Sequence, residues 1–329
     1  MIQIPVIDDL HVHLRQGDLM HEVVPTIHGG GVGRVLVMPN TSPPITSISQ
    51  AIEYKAKLMK INLKIEYLMT LFLSPQLTID ELTKAPGNIV GVKSYPKGVT
   101  TGSETGVEDY ESYFEIFAEM EKMNLSLHLH GEMPGACVMS AESKFLSQLI
   151  KISSNFPKLK IVLEHVTTEA AINAVLSCGP NVAATITIHH IDLTISDVVG
   201  NNLNFCKPVA KLESDRNAIR SIIQSGNPKF FFGSDSAPHL IGSKSTPSCC
   251  PAGIYTQPFV AQYLADAFDR MNCLERLENF ACNFGRHFLQ LPNRETEKIR
   301  IVKKPFTVPQ IVGNVVPFRA GQVLTYSIA

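Results

Sequence analysis

Eight short apolar or β-branched runs recur along the 329 residues, and segments with helical spacing separate most of them. They lie at 4–10 (IPVIDDL), 34–38 (RVLVM), 65–72 (IEYLMTLF), 89–93 (IVGVK), 125–130 (LSLHLH), 160–165 (KIVLEH), 182–187 (VAATIT) and 229–235 (KFFFGSD). Between them, Ile48, Ile52, Lys55 and Met59 keep a three-to-four spacing over 47–62. Tyr113, Ile116, Phe117 and Met120 do the same over 110–123, as do Phe145, Leu149 and Ile152 further on. Strand alternating with helix eight times predicts an α/β fold, the (β/α)8 TIM barrel. An open doubly wound sheet is the competing architecture. It uses fewer strands and usually places a glycine-rich phosphate turn after the first, where this chain has His-Val-His.

Segments 255–271 and 274–288 read as further helices, and the Val- and Pro-rich tail 299–329 as a C-terminal extension packing on the barrel. One domain spanning 1–329 is therefore expected, with no room before the first strand for an accessory domain. Hydrophobic residues make up 44% of the chain against 18% charged, ample for a sizeable core. The net charge of −1, with no basic stripe or acidic tail, gives no footprint for nucleic acid or an anionic membrane. No basic n-region precedes an apolar stretch at the N-terminus, and no apolar run approaches the roughly 18 residues of a membrane span. The seven cysteines are scattered without CxxC spacing, and the adjacent pair Cys249-Cys250 makes a poor staple. Reduced thiols in the cytoplasm are expected, with a zinc role for Cys249 or Cys250 as the minor reading.

Polar residues able to bind metal sit where five of the runs end: His11 and His13, Lys93, His130, His165 and Asp235. Each has a duller reading. Residues i and i+2 of a strand share a side, so HxH can present two imidazoles to one ion, yet alone it is often a packing pair. His130 has a decoy in His128, which lies further from the mouth and suits a hydrogen-bonded interior. Lys93 would ordinarily snorkel. The duller readings must all hold independently, whereas a single metal site at the mouth of a barrel accounts for every position. Lysine is the anomaly, because an ammonium only donates. A desolvated lysine has a depressed pKa, and its neutral amine can capture carbon dioxide as a carbamate. That group is a carboxylate analogue able to bridge two metals about 3.5–4 Å apart.

From DLHVHLR through VMPNTSPPIT, GVKSYPKGVTTG, HLHGE, LEHVTT, NFCKPVAK and GSDSAPH to CCPAG, the chain resembles the single-domain dihydroorotases of the amidohydrolase superfamily. The resemblance implies two zinc ions per subunit. His11, His13, Lys93 and Asp235 would hold the first, and carboxylated Lys93, His130 and His165 the second. It implies reversible hydrolysis of (S)-dihydroorotate to N-carbamoyl-L-aspartate in pyrimidine biosynthesis, with a metal-activated hydroxide attacking the ring carbonyl and Asp235 carrying the proton. It also implies a homodimer.

A cyclic-amide hydrolase must also hold its ring. Arg15 lies two residues past His13 and offers a bidentate fork for a carboxylate. Asn40 ends the second run, and His239 follows Asp235 by four residues. The resemblance assigns these three to the substrate carboxylate and gives the ring's amide edge to backbone around Lys207 and Ala252. Segment 97–106 follows the lysine strand with Gly98, Gly102 and Gly106 around Thr100 and Thr101, and reads as a lid whose threonines touch substrate. Gly102 stands where the family pattern has asparagine. Two rival functions fit less well. A dihydropyrimidinase or allantoinase acts on substrates without the ring carboxylate, leaving Arg15 no anion. A silent barrel scaffold would have lost ligands that this chain keeps.

Overall fold

A computed structural model describes residues 1–87, 89–246, 250–294 and 297–329. In chain order the strands are β1 (Ile2–Pro5), β2 (Ile7–Val12), β3 (Val32–Val37), β4 (Glu66–Phe72), β5 (Ile89–Ser94), β6 (Ser126–His130), β7 (Lys160–Glu164), β8 (Val182–Ile186) and β9 (Phe230–Phe232). After them come β10 (Lys298–Val302), β11 (Phe306–Thr307), β12 (Val323–Leu324) and β13 (Ser327–Ile328). β2 to β9 form one sheet in sequence order with every neighbour parallel. Main-chain bonds from Asp235 N to His11 O (2.9 Å) and from His13 N to Ser236 O (3.0 Å) join the last strand's extension to the first. With helices between the strands, this is the expected (β/α)8 barrel.

Two details depart from the sequence expectation. The run 4–10 is not one strand. Val6 N donates to Glu297 O, whereas Ile7 N donates to Gly31 O, so the chain changes partners there. β1 thus joins a separate sheet, β1-β10-β13, and only β2 enters the barrel. Helix Ile48–Ile61 buries Ile48, Ala51, Tyr54 and Leu58, while Ile52 and Met59 face out at 49% and 39% exposure. The face is displaced because a small Ala and an amphipathic Tyr occupy the inward positions, and the buried Tyr54 hydroxyl donates to the Arg15 carbonyl.

The barrel interior is layered. An ionic floor pairs Asp8 with Arg34 (3.0 Å) and Arg286 (2.8 Å). Above it lies an apolar layer containing Leu10, Leu36, Leu68, Val162, Ala183 and Phe231. Higher still the inward side chains turn polar, with buried Lys93, His128, Glu164 and Thr185. In the tail, Ile301, Val308, Phe318, Leu324 and Tyr326 are buried in the same apolar cluster as the barrel helices. Among the described residues, no helix is long and apolar enough to cross a membrane. Cys249 lies outside the described residues.

Candidate metal centre and substrate pocket

The sequence-predicted ligands converge above the polar layer. Ring centroids step from His13 to His11 (5.4 Å), from His11 to His165 (5.1 Å) and from His165 to His130 (4.8 Å). His11, His13 and Asp235 place their ligand atoms within 4.8 Å of one another and could hold an ion. Lys93 lies beneath them with no exposed surface, its Nζ without a hydrogen-bond partner and 4.9 Å from the Tyr95 ring centroid. Burial pulls the Lys93 pKa down to about 8 despite Glu164 and Asp235 nearby.

The hydrogen bonds fix which atom each ring offers. Asn40 Nδ2 donates to Thr101 O (3.1 Å), so its Oδ1 accepts from His13 Nδ1 (2.7 Å). Glu164 accepts from His11 Nδ1 (2.8 Å) and from His128 Nδ1 (2.6 Å). Both His11 and His13 therefore carry the Nδ1 proton when neutral, and each turns an Nε2 lone pair toward Asp235 Oδ1, at 3.4 and 3.0 Å. Burial lowers the His13 pKa to about 4, keeping that ring neutral. Burial alone would raise the Asp235 carboxyl, and only protonated neighbouring rings or another cation at this spot would pull it down. Two lone pairs against a carboxylate is an arrangement that a cation resolves.

On the other side, His130 Nε2 donates to Glu132 (2.8 Å), which leaves Nδ1 for the site, and His165 Nδ1 has no partner. The orphaned Lys93 Nζ and His165 Nδ1 fit a metal centre, since buried polar atoms without partners are otherwise costly. His128 is held from both ends, by Glu164 and by Ser126 Oγ (2.8 Å). Arg15, His165 and Asp235 all have left-handed backbone, with φ of 60°, 44° and 46°. Such strain at non-glycine residues gathers at functional sites.

Arg15, Asn40, Thr100, Thr101, Lys207 and Ala252 line one pocket with the rings of His11, His13, His130 and His165. Arg15 Nε donates to Pro238 O (2.9 Å), and its Nη2 lies 3.2 Å from His239 Nε2. His239 also contacts the Ala252 carbonyl at 2.9 Å, so that carbonyl is already engaged inside the protein. Gly102 has φ +71°, a conformation glycine adopts without cost.

Residues 4–295 match the amidohydrolase family. A Schizosaccharomyces pombe protein described as a probable dihydroorotase is 48% identical over 99% of this chain and 98% of its own length. The Saccharomyces cerevisiae dihydroorotase is 42% identical over 97% and 96%. The chain belongs to the dihydroorotases of the amidohydrolase family. The crystal structure of dihydroorotase from S. cerevisiae in complex with 5-fluoroorotic acid superposes on this dihydroorotase with a TM-score of 0.96, at 41% identity, covering 100% of this chain and 98% of that one.

Sequence reasoning missed four features of this dihydroorotase site. Glu164 and Glu132 orient ligand rings, and an acid inside the apolar run KIVLEH was the available signal for Glu164. Tyr95 stacks near Lys93 and His130 and lines the pocket. His189, His190 and Cys206 form a second cluster with metal-ligating atoms close together. There His190 bonds Thr187 Oγ1 (2.9 Å) and Pro208 O (3.0 Å), and the Cys206 thiol, pushed up by burial, lies 3.3 Å from Pro208 O. Those bonds already occupy the His190 ring.

Proposed function

We propose that the protein hydrolyses (S)-dihydroorotate reversibly to N-carbamoyl-L-aspartate, using two zinc ions held by His11, His13, Lys93, His130, His165 and Asp235. The observation that carries this reading is the pair of Nε2 lone pairs turned on one Asp235 oxygen, above an unpaired buried lysine. Lys93, with its pKa near 8, has enough free amine near neutral pH to take up carbon dioxide and become a carbamate, which would serve as a carboxylate-like metal ligand. Bound metal supplies Lewis acidity and lowers the pKa of the attacking water.

Asp235 accepts the proton of that water and returns it to the ring nitrogen as the ring C–N bond breaks. Arg15, Asn40 and His239 hold the exocyclic carboxylate. The backbone of Lys207 and Ala252 reads the amide edge, with the Ala252 carbonyl shared with His239. Thr100 and Thr101 close over the ring. The tail 299–329 belongs to the same domain as the barrel, a reading its shared apolar cluster supports. A homodimer completes the proposal on the resemblance alone, and a cytoplasmic location on the scattered cysteines read as reduced thiols.

The test compares dihydroorotate with dihydrouracil on one sample of known zinc content. Dihydroorotate turnover with two zinc ions per chain and little action on dihydrouracil is expected. Equal rates on both rings would move the assignment to a dihydropyrimidinase, and turnover without metal would remove the centre.

A further inference from the structure

Segment 97–106 is braced mainly by itself. Lys97 N bonds Val107 O (3.0 Å), Gly98 N bonds Ser103 O (2.9 Å), and Ser103 Oγ both donates to Thr100 O (2.6 Å) and accepts from Thr100 N (2.9 Å). The loop is thus a compact unit hinged at its base. Among the described residues, two recorded side-chain hydrogen bonds tie it to the barrel walls, and they come from opposite sides. Asn40, beyond β3, donates to Thr101 O. Lys207, beyond β8, donates through Nζ to Val99 O at 2.6 Å. A cleft lined by Gln16, Thr41, Ser42, Gly102, Glu104 and Thr105 runs along the lid on the Asn40 side, so packing there is open.

In the proposed function Lys207 and Ala252 meet the substrate only through their backbones, which leaves the Lys207 side chain free for another role. Its ammonium is a charged donor set on a lid carbonyl, that of Val99. Charge-assisted bonds to a neutral acceptor are stronger than ordinary ones. A four-carbon stem lets the donor follow a carbonyl that moves. Val99 O belongs to the peptide immediately before the Thr100–Thr101 peptide, so holding it sets how far those threonines reach over the pocket. We propose that Lys207 is a positioning residue that latches the lid closed by gripping the Val99 carbonyl, opposite the Asn40 tether.

This rests on the dihydroorotase reading for its kinetic readout, but the latch can also be followed without turnover. Trypsin cleaves after lysine, and Lys97 stands at the lid's base. Cleavage of the Lys97–Gly98 bond, followed by mass spectrometry on the zinc-loaded protein, therefore reports lid release. Lys207→Met keeps the stem and removes the donor, and Lys207→Arg restores one. The latch predicts that Lys207→Met is cut at Lys97 roughly ten-fold faster and loses roughly ten-fold in kcat/KM, about what one charged hydrogen bond supplies. Zinc content should stay constant, and Lys207→Arg should recover most of both effects. Unchanged cleavage in Lys207→Met would overturn the proposal whatever the kinetics, because a lysine acting only on substrate leaves the empty lid undisturbed. Loss of zinc in both Lys207→Met and Lys207→Gln would also overturn it, by assigning the side chain to the fold. If no variant, wild type included, turns over dihydroorotate, the cleavage comparison still decides the latch while the function fails separately.

Discussion

The Glu164 carboxylate receives the Nδ1 proton of His11 at 2.8 Å, and this one bond decides which nitrogen of the ring faces the metal side of the barrel. Glu164 also accepts from His128 and from Thr185 Oγ1 (2.5 Å), so three donors hold it in place. Burial would raise its pKa, yet His11 and His128 hold it well below the ordinary carboxylate range.

Glu164→Gln should weaken metal binding through the ring's tautomer. The amide nitrogen cannot accept: at the Oε2 position it meets both His11 Nδ1 and Thr185 Oγ1, at the Oε1 position it meets His128 Nδ1, and in either case the neutral amide holds the His11 ring less firmly than the carboxylate. Metal affinity is expected to fall about 10–100-fold, the usual cost of removing a partner that orients a ligand. Chelator competition on the variant checks this. Wild-type affinity would show that the ring is oriented by packing alone.

Lys93→Ala should lose bound metal and activity together. A small carboxylic acid such as acetate, filling the emptied space, is expected to restore part of both. Metal analysis with and without the acid is the measurement, and full zinc occupancy in the unsupplemented variant would remove the bridging role.

The Arg15 fork should govern substrate choice rather than metal content. Arg15→Met is expected to cost one to two decades in kcat/KM for dihydroorotate, from about 1.5–3 kcal/mol per charged hydrogen bond. Arg15→Lys should recover little, because an ammonium cannot reproduce the planar fork. Kinetics on both variants with zinc quantified will show it. A variant that releases zinc places Arg15 in the support of the centre instead.

A separate prediction concerns stability and pH. Glu142, on helix Ala141–Asn155, accepts from Thr167 N (2.8 Å) and Thr168 Oγ1, and burial raises its pKa to about 7 from an unfolded 4.5. Between those values the folded chain holds a proton that the unfolded chain has lost. Stability from this group is therefore fully present below pH 4.5 and is lost as pH rises toward 7. The full span is on the order of 3 kcal/mol, from about 1.4 kcal/mol per pKa unit. Glu142→Gln should flatten that part of the profile in denaturant titrations of metal-free protein at pH 5 and 7.5. An unchanged difference between the two pH values would assign the slope to other groups.

Periodicity and position carried far in this chain. Apolar runs between helical segments specify the barrel, because a buried parallel strand must be apolar on both faces and a crossover helix on one. A polar residue ending such a run has few places to go except the mouth, which is why His11, His13, Lys93, His130, His165 and Asp235 were legible as a set. Local pattern failed where a neighbour decides. Nothing in IPVIDDL shows that the chain changes hydrogen-bond partners between Val6 and Ile7, since the partner of Val6, Glu297, is almost three hundred residues away. The inward face of helix Ile48–Ile61 was set by Tyr54 finding the Arg15 carbonyl, not by its most apolar residues. Which side chains gather at the mouth was legible in the sequence, but how their rings are oriented was not. Which nitrogen of His11 or His13 is free depends on Glu164 and Asn40, brought in from other strands, and hydrogen bonds between strands exist only once the barrel closes. The Lys207 grip on the lid is of the same kind, a contact across 108 residues that no spacing encodes.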